Sequence, residues 1–281
     1  MGTAIAVASG KGGTGKTTVA VNMAMCCPSG TILLDCDVET PNAHLFFKPR
    51  SARKERVTVP KPAFDPEKCT GCGQCRTACR FNAIILLNGK PVLFPDQCHS
   101  CGGCARRCPA DAIEEVPLEV GSFETGAVDE LNFAFGLLDI GESRSSPVIE
   151  RVRKEAAGRM LSVIDAPPGT SCPMVESVRD TNYAVLVTEP TPFGLHDLQL
   201  AVHTMRKMEI PFGVVINRAD LGDCKVKAFC TEEKIPVLGE IPFDRRIAVS
   251  CSRGEVLSAS LPEYSELFSS ILERVLCEIE K

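Results

Sequence analysis

The chain lacks any run of about 20 consecutive apolar residues, the length a membrane-spanning helix needs, so a helical membrane protein is excluded. It also lacks an excess of basic charge. The 31 lysines and arginines against 36 aspartates and glutamates leave a net charge of −5, with a pI near 5.5. That balance argues against a general nucleic-acid binder and leaves only a local basic patch open. No secretory signal is visible: Ala4-Ile5-Ala6-Val7-Ala8 is a strand-like run that leads straight into a glycine loop. A cytoplasmic protein is therefore expected. The extremes that mark disorder or collagen are absent too, at 44% hydrophobic and 24% charged residues. A length of 281 residues allows one large domain or two modest ones.

Cysteine, by contrast, is abundant, at 16 residues. Without an export signal these read as metal ligands or redox thiols, not disulfides. Eight of them fall between Cys69 and Cys108, and the rest are scattered. The flanks of that segment alternate short β-branched runs with helix-like stretches. The runs Thr31–Asp35, Leu161–Asp165, Tyr183–Thr188, Phe212–Asn217 and Pro236–Ile241 are predicted strands. Predicted helices cover about Lys16–Cys27, Gly194–Met208, Asp223–Glu233 and Tyr264–Glu280. This alternation implies βαβ units and a mostly parallel sheet with helices on both faces. The cysteine segment then reads as an insertion, bounded by Pro60, Pro62 and Pro66 at its start and Pro117 at its end. The expected division is 1–59 and 118–281 for the α/β domain and 60–117 for the insert. Within the insert, Cys69 and Cys98 open two similar halves 29 residues apart, separated by a predicted hairpin turn at Asn88-Gly89.

Gly10-Lys11-Gly12-Gly13-Thr14-Gly15-Lys16-Thr17 fits G-x-x-x-x-G-K-[ST], after an apolar strand and before a helix. In such a loop backbone N–H groups turn inward around phosphate oxygens, and the helix N-terminus adds its partial positive charge. Lys16 is expected on the β/γ-phosphates and the Thr17 hydroxyl on Mg²⁺.

Lys11 carries a resemblance. A second lysine at the start of the loop resembles the deviant Walker A motif, K-G-G-x-G-K-[ST], of the MinD/ParA/Mrp and nitrogenase iron-protein class of ATPases. Leu34-Asp35-Cys36-Asp37 is similar to the family's switch I, Asp165-Ala166-Pro167-Pro168-Gly169 to its Walker B and switch II, and Asn217 to its adenine reader. The resemblance implies a nucleotide-dependent dimer in which Lys11 reaches the partner's nucleotide. It places Asp35 and Asp165 on Mg-bound waters and Asp37 beside the attacking water. It adds Gly12, Gly13, Thr14, Gly15, Thr18, Asn217 and Pro242 as nucleotide contacts. Lys11, Lys16 and Mg²⁺ would supply the positive charge that phosphoryl transfer needs.

Cys69, Cys72, Cys75 and Cys79 give C-x2-C-x2-C-x3-C, and Cys98, Cys101, Cys104 and Cys108 repeat it, followed by Pro109. This is the bacterial two-cluster ferredoxin signature, in which the fourth cysteine of each run ligates the other cluster. The expected sets are Cys69, Cys72, Cys75 and Cys108 for one [4Fe–4S] cluster and Cys79, Cys98, Cys101 and Cys104 for the other. Structural zinc usually joins two distant C-x2-C pairs and matches this pattern less well. Arg80 stands where the first run would have its proline; it is either a docking or potential-raising cation or a tolerated surface change.

Taken together, the chain resembles MinD-superfamily ATPases that carry an inserted α+β ferredoxin-like domain. The expected function is an ATP-binding and ATP-hydrolysing iron–sulfur protein that couples dimer switching to electron transfer with a redox partner. The dimer would be a homodimer or a heterodimer with a related ATPase. The alternatives are a cluster carrier of the Mrp type and a positioning ATPase with redox-sensing clusters. Cys172 lies seven residues after Asp165, the offset at which nitrogenase iron proteins hold a bridging cluster; a small, partly buried thiol is the other reading. The basic stretch Lys48–Arg56 is either a solvated linker or a dock for an acidic partner. The apolar stripe Leu267, Phe268, Ile271, Leu272, Val275, Leu276 and Ile279 is flanked mainly by glutamates, so it is expected to pack on the sheet and not on a membrane.

Overall fold

The computed structural model describes residues 2–47 and 50–281. Its strands are β1 (Thr3–Ala8), β2 (Ile32–Asp35), β3 (Arg50–Phe64), β4 (Ile84–Leu87), β5 (Lys90–Leu93), β6 (Ile113–Val128), β7 (Leu131–Leu138), β8 (Leu161–Asp165), β9 (Tyr183–Thr188), β10 (Phe212–Asn217) and β11 (Val237–Ile241). Nine of them form one sheet in the order β11-β10-β9-β1-β8-β2-β7-β6-β3. From β11 to β7 every pairing is parallel. The central strands are buried on both faces and are accordingly apolar throughout, as in Ile5–Ala8 and Ala184–Val187.

Helices cover both faces. One side holds Lys16–Met25 and the C-terminal helix Pro262–Ile279, around a core that includes Val19, Leu33, Val185 and Phe268. The other holds Ser146–Arg153, Cys172–Val178 and Pro192–Lys207, around Leu34, Val148, Met174 and Leu198. Phe268, Ile271, Leu272 and Val275 of the C-terminal stripe are buried in the first of these cores. Among the described residues no helix is long and apolar enough to cross a membrane.

The sheet is not parallel throughout. β6 runs antiparallel to β7, and β3 antiparallel to β6. β7 pairs only with the inner part of β6, from Gly121 to Val128, so the outer parts of β3 and β6 project from the sheet as a two-stranded ribbon. Pro60 and Pro117, expected at the edges of an insert, face each other along this ribbon, as do Pro62 and Glu115. Each ribbon strand has a free edge there, where a missing N–H costs no ladder bond.

Residues 65–112 sit at the ribbon's end. They comprise the β4–β5 hairpin and the short helices Gln74–Ala78 and Gly103–Arg106, and their Cys75 and Ile84 form a small core with Ile113 of β6. The basic stretch differs from expectation as well. Lys48 and Pro49 lie outside the described residues, and the rest belongs to β3. Three of its cations are matched: Arg53 pairs with Glu55, Lys54 with Glu124, and Arg56 with Glu119 at 2.8 Å and with Asp139.

Candidate functional site: a nucleotide cleft and two cysteine-lined cavities

The cleft lies at the C-terminal edge of the parallel strands, the usual ligand position in such sheets. β1 ends in the glycine loop, and the helix Lys16–Met25 begins directly after it. Gly15 holds φ +88, and a Cβ there would lie 2.4 Å from the Asn217 amide nitrogen, so this position needs glycine twice over. Asn217, at the end of β10, donates from that nitrogen to the Thr14 carbonyl at 2.8 Å and accepts from the Arg218 N–H at 3.0 Å.

β2 and β8 are in register so that Asp35 and Asp165 stand side by side. Both are fully buried. Lys16 Nζ donates to Asp165 Oδ1 at 2.6 Å. The other Asp165 oxygen, Oδ2, is buried and has no hydrogen-bond partner. An orphaned carboxylate oxygen beside a P-loop suits a Mg-bound water, so the residues present fit the metal. Asp35 behaves differently. Its Oδ1 accepts from the Asp37 N–H at 3.1 Å, and its Oδ2 from the N–H groups of Asn42 and Ala43 at 3.0 Å each. It therefore ties down the loop that follows β2.

Burial works against the Lys16 charge, but Asp165, Asp35 and Asp37 outweigh it and raise its pKa. Burial also raises the Asp37 carboxyl, against the opposing pull of Lys16.

The phosphate end of the cleft, about 490 Å³, is lined by Lys11, Gly12, Gly13, Lys16, Thr17 and Asp37. A second cavity of about 200 Å³ adjoins it through Gly15, Thr18 and Cys251, and its wall includes Asn217, Arg218, Pro242 and Phe243. The predicted adenine and phosphate residues thus line two neighbouring cavities that share Gly15, Thr18 and Cys251. Lys11 lies 3.9 Å from Glu189, which also pairs with Arg218 at 2.9 Å. Glu189 was not expected from the sequence, although an acid just after the end of a strand at the ligand edge is a readable signal. Cys251, whose Sγ lies 3.7 Å from the Thr18 hydroxyl, had no such signal.

The cysteines separate into two cavities. One is lined by Cys69, Cys72, Cys75 and Cys108, the other by Cys79, Cys98, Cys101 and Cys104. The fourth cysteine of each run therefore crosses to the other set. Left-handed backbone at Gly71, Gly73 and Gly102 lets the chain wrap each cavity. The thiols of Cys79 and Cys108 accept N–H bonds from Ala83 and Ala112, both at 3.3 Å. Each cavity-lining set of four, with one N–H···S donor of its own, fits a polynuclear cluster. Cys172 is exposed at the start of its helix, not partly buried.

A strand–P-loop–helix unit on a mostly parallel sheet, with two aspartates at the adjoining strand ends, defines a P-loop nucleotide-binding protein. The family profile of the CobQ/CobB/MinD/ParA nucleotide binding domain matches residues 5–257, and the chain belongs to that family. An uncharacterized protein of Methanocaldococcus jannaschii is 29% identical over 275 residues, covering 96% of this chain and 95% of its own. The cytosolic Fe-S cluster assembly factor Nubp1 homolog of Drosophila grimshawi is 28% identical over 140 residues, 41% of this chain and 45% of its own. The septum site-determining protein MinD of Pyrococcus horikoshii, solved with Mg-ADP, shares the fold with a TM-score of 0.61 and 19% identity, over 98% of this chain and 96% of its own.

Proposed function

We propose that this protein is an ATPase whose nucleotide state governs electron transfer through two [4Fe–4S] clusters to a redox protein. The observation that carries the reading is the division of eight cysteines between two cavities at the end of a ribbon that grows out of the nucleotide-binding sheet. Each cluster, when bound, supplies one-electron transfer. The chain's own residues do the rest. Lys16 and the loop N–H groups hold the phosphates, and Thr17 and Asp165 hold Mg²⁺ directly and through water. Asp37 orients the attacking water, and ATP and water give ADP and phosphate. Lys11, which sits at the mouth of the cleft and is paired only loosely with Glu189, completes the site of a second copy in the ATP-bound dimer.

A second reading, a cluster carrier, is favoured by the likeness to the Nubp1 homolog. Against it stands the completeness of both sets, since four thiolates per cluster leave no position open for hand-over. Anaerobic purification tests the first reading. About eight irons per chain are expected, together with Mg·ATP hydrolysis that Lys11→Ala abolishes while ATP binding survives. Zinc in place of iron would sink the ligand assignment. Rapid loss of iron to an apo-protein on adding ATP would favour the carrier.

A further inference from the structure

We infer that Arg144 and Lys61 form a latch that ties the nucleotide site to the cysteine set Cys79, Cys98, Cys101 and Cys104, and leaves the set Cys69, Cys72, Cys75 and Cys108 outside the linkage. The inference rests on the proposed function, because it assigns a route to the coupling proposed there.

The route starts at Asp37, which lines the phosphate cleft. The carbonyl of the next residue, Val38, accepts a hydrogen bond from the Leu138 N–H at 2.8 Å. Leu138 ends β7, and the N–H of Asp139 is bonded to the Val120 carbonyl of β6 at 3.1 Å. The chain leaving β7 is therefore fixed both to the segment after β2 and to the root of the ribbon. It then forms a short loop. Glu142 accepts from the Arg144 Nε at 2.7 Å and from the Arg144 backbone N–H at 2.9 Å, which sets the guanidinium in place. Arg144 Nη1 donates to the carbonyl of Cys98 at 3.4 Å.

The same carbonyl receives a second cation. Lys61, on β3, is 4% exposed, and its Nζ donates to Cys98 at 2.7 Å and to the Pro95 carbonyl at 2.8 Å. A buried ammonium bonded to a ligand's own backbone raises the potential of a cluster at that site by favouring the added electron. Glu115 lines the same cavity but is exposed, so water screens it more effectively.

The other half of the repeat has no counterpart. Cys69 corresponds to Cys98, and its N–H bonds to Asp65 within its own turn at 3.0 Å. Among the described residues no side-chain cation bonds to the Cys69 carbonyl. Asp35 holds the segment 36–43 through three N–H groups, so a change at the phosphate cleft reaches that segment as a unit. A nucleotide that seats the attacking water against the Asp37 carboxylate shifts Asp37, and the shift passes to Val38, to the β7 end and to Arg144.

The experiment uses the full chain, purified anaerobically with its iron. EPR-monitored titrations read the midpoint potential of each set with and without Mg·ATP; Cys108→Ser, which damages the Cys69 set, assigns the signals. In the wild type ATP is expected to shift only the Cys79 set. Arg144→Gln is expected to abolish that shift with iron content and ATP binding retained, and Arg144→Lys to restore part of it. Lys61→Met is expected to lower the resting potential of the same set. A shift that survives Arg144→Gln, or an equal shift at both sets, overturns the latch and leaves the proposed function standing. A wild type with full iron and no shift at either set overturns both. Hydrogen exchange supplies a readout that needs no iron. ATP should change exchange at residues 98–100 but not at 69–71, and Arg144→Gln should erase the difference; equal responses in the two segments overturn the latch.

Discussion

Lys16 and Asp165 are joined at 2.6 Å, the lysine 7% and the aspartate 0% exposed. Removing one partner of such a pair strands the other charge. Lys16→Met should therefore lower stability by about 3–5 kcal/mol as well as abolish ATP binding. Denaturant unfolding of the nucleotide-free protein measures the first effect, and an unchanged midpoint would mean that the pair is not formed in solution. Lys11 contrasts with it: at 31% exposure and 3.9 Å from Glu189, it contributes little to stability. The carboxylates around Lys16 add a pH dependence. Burial first, and then the Asp165 charge, push the Asp35 carboxyl up to about 7, and burial raises Asp37 as well. A raised carboxyl pKa means that the folded chain binds protons the unfolded chain releases. Stability from this source is complete below the ordinary carboxylate range and is lost as pH climbs through the raised values. The thermal midpoint of the nucleotide-free, metal-free protein should fall between about pH 5 and pH 8, and Asp35→Asn should flatten that slope. An equally steep slope in the variant would assign the dependence to other groups.

At the scale of elements, β7 is the contact between the nucleotide-binding sheet and the ribbon. Gly136 lies in it with no room for a side chain: a Cβ would stand 2.5 Å from Val148 Cγ1 and 2.9 Å from Val38 Cγ1. Gly136→Ala should cost about 1–3 kcal/mol by overpacking, and weaken ATP binding because Val38 follows Asp37. Urea unfolding and nucleotide titration check the two effects separately; lost stability with unaltered ATP affinity would detach Val38 from the cleft. The legibility of the elements followed the same geometry. β2, β8, β9, β10 and β11 were readable as short, doubly buried apolar runs. β3 was not, because Arg53-Lys54-Glu55-Arg56 and two prolines suit an exposed edge and a free ribbon, where apolar alternation is weak. β7 and β6 are joined by a turn at Asp129 and Glu130, and β6 runs back into the segment read as an insert, so the strand pattern was broken there. The phosphate loop and the cysteine spacing were legible because both are local along the chain. The Arg144–Cys98 contact spans 46 positions and depends on where the ribbon carries residues 65–112, which no local pattern encodes.

Seen as a whole molecule, the chain joins a nucleotide cleft to two cysteine-lined cavities through one hydrogen-bonded sheet. The ribbon of β3 and β6 continues that sheet, and Arg144 and Lys61 meet at its far part, so residues 65–112 are not tethered by a free linker. The paired charges along β3 leave less of the basic stretch available to a partner. If ATP binding changes the energy of an added electron, then an added electron must change ATP affinity by the same free energy. The measurement that tests the central claim most directly is the ATP dissociation constant of the iron-loaded protein, first oxidised and then reduced, in the presence of Mg²⁺. A coupling of about 1–3 kcal/mol, typical of linked sites, predicts constants that differ by about 5- to 150-fold. Identical constants in the two redox states would contradict the account.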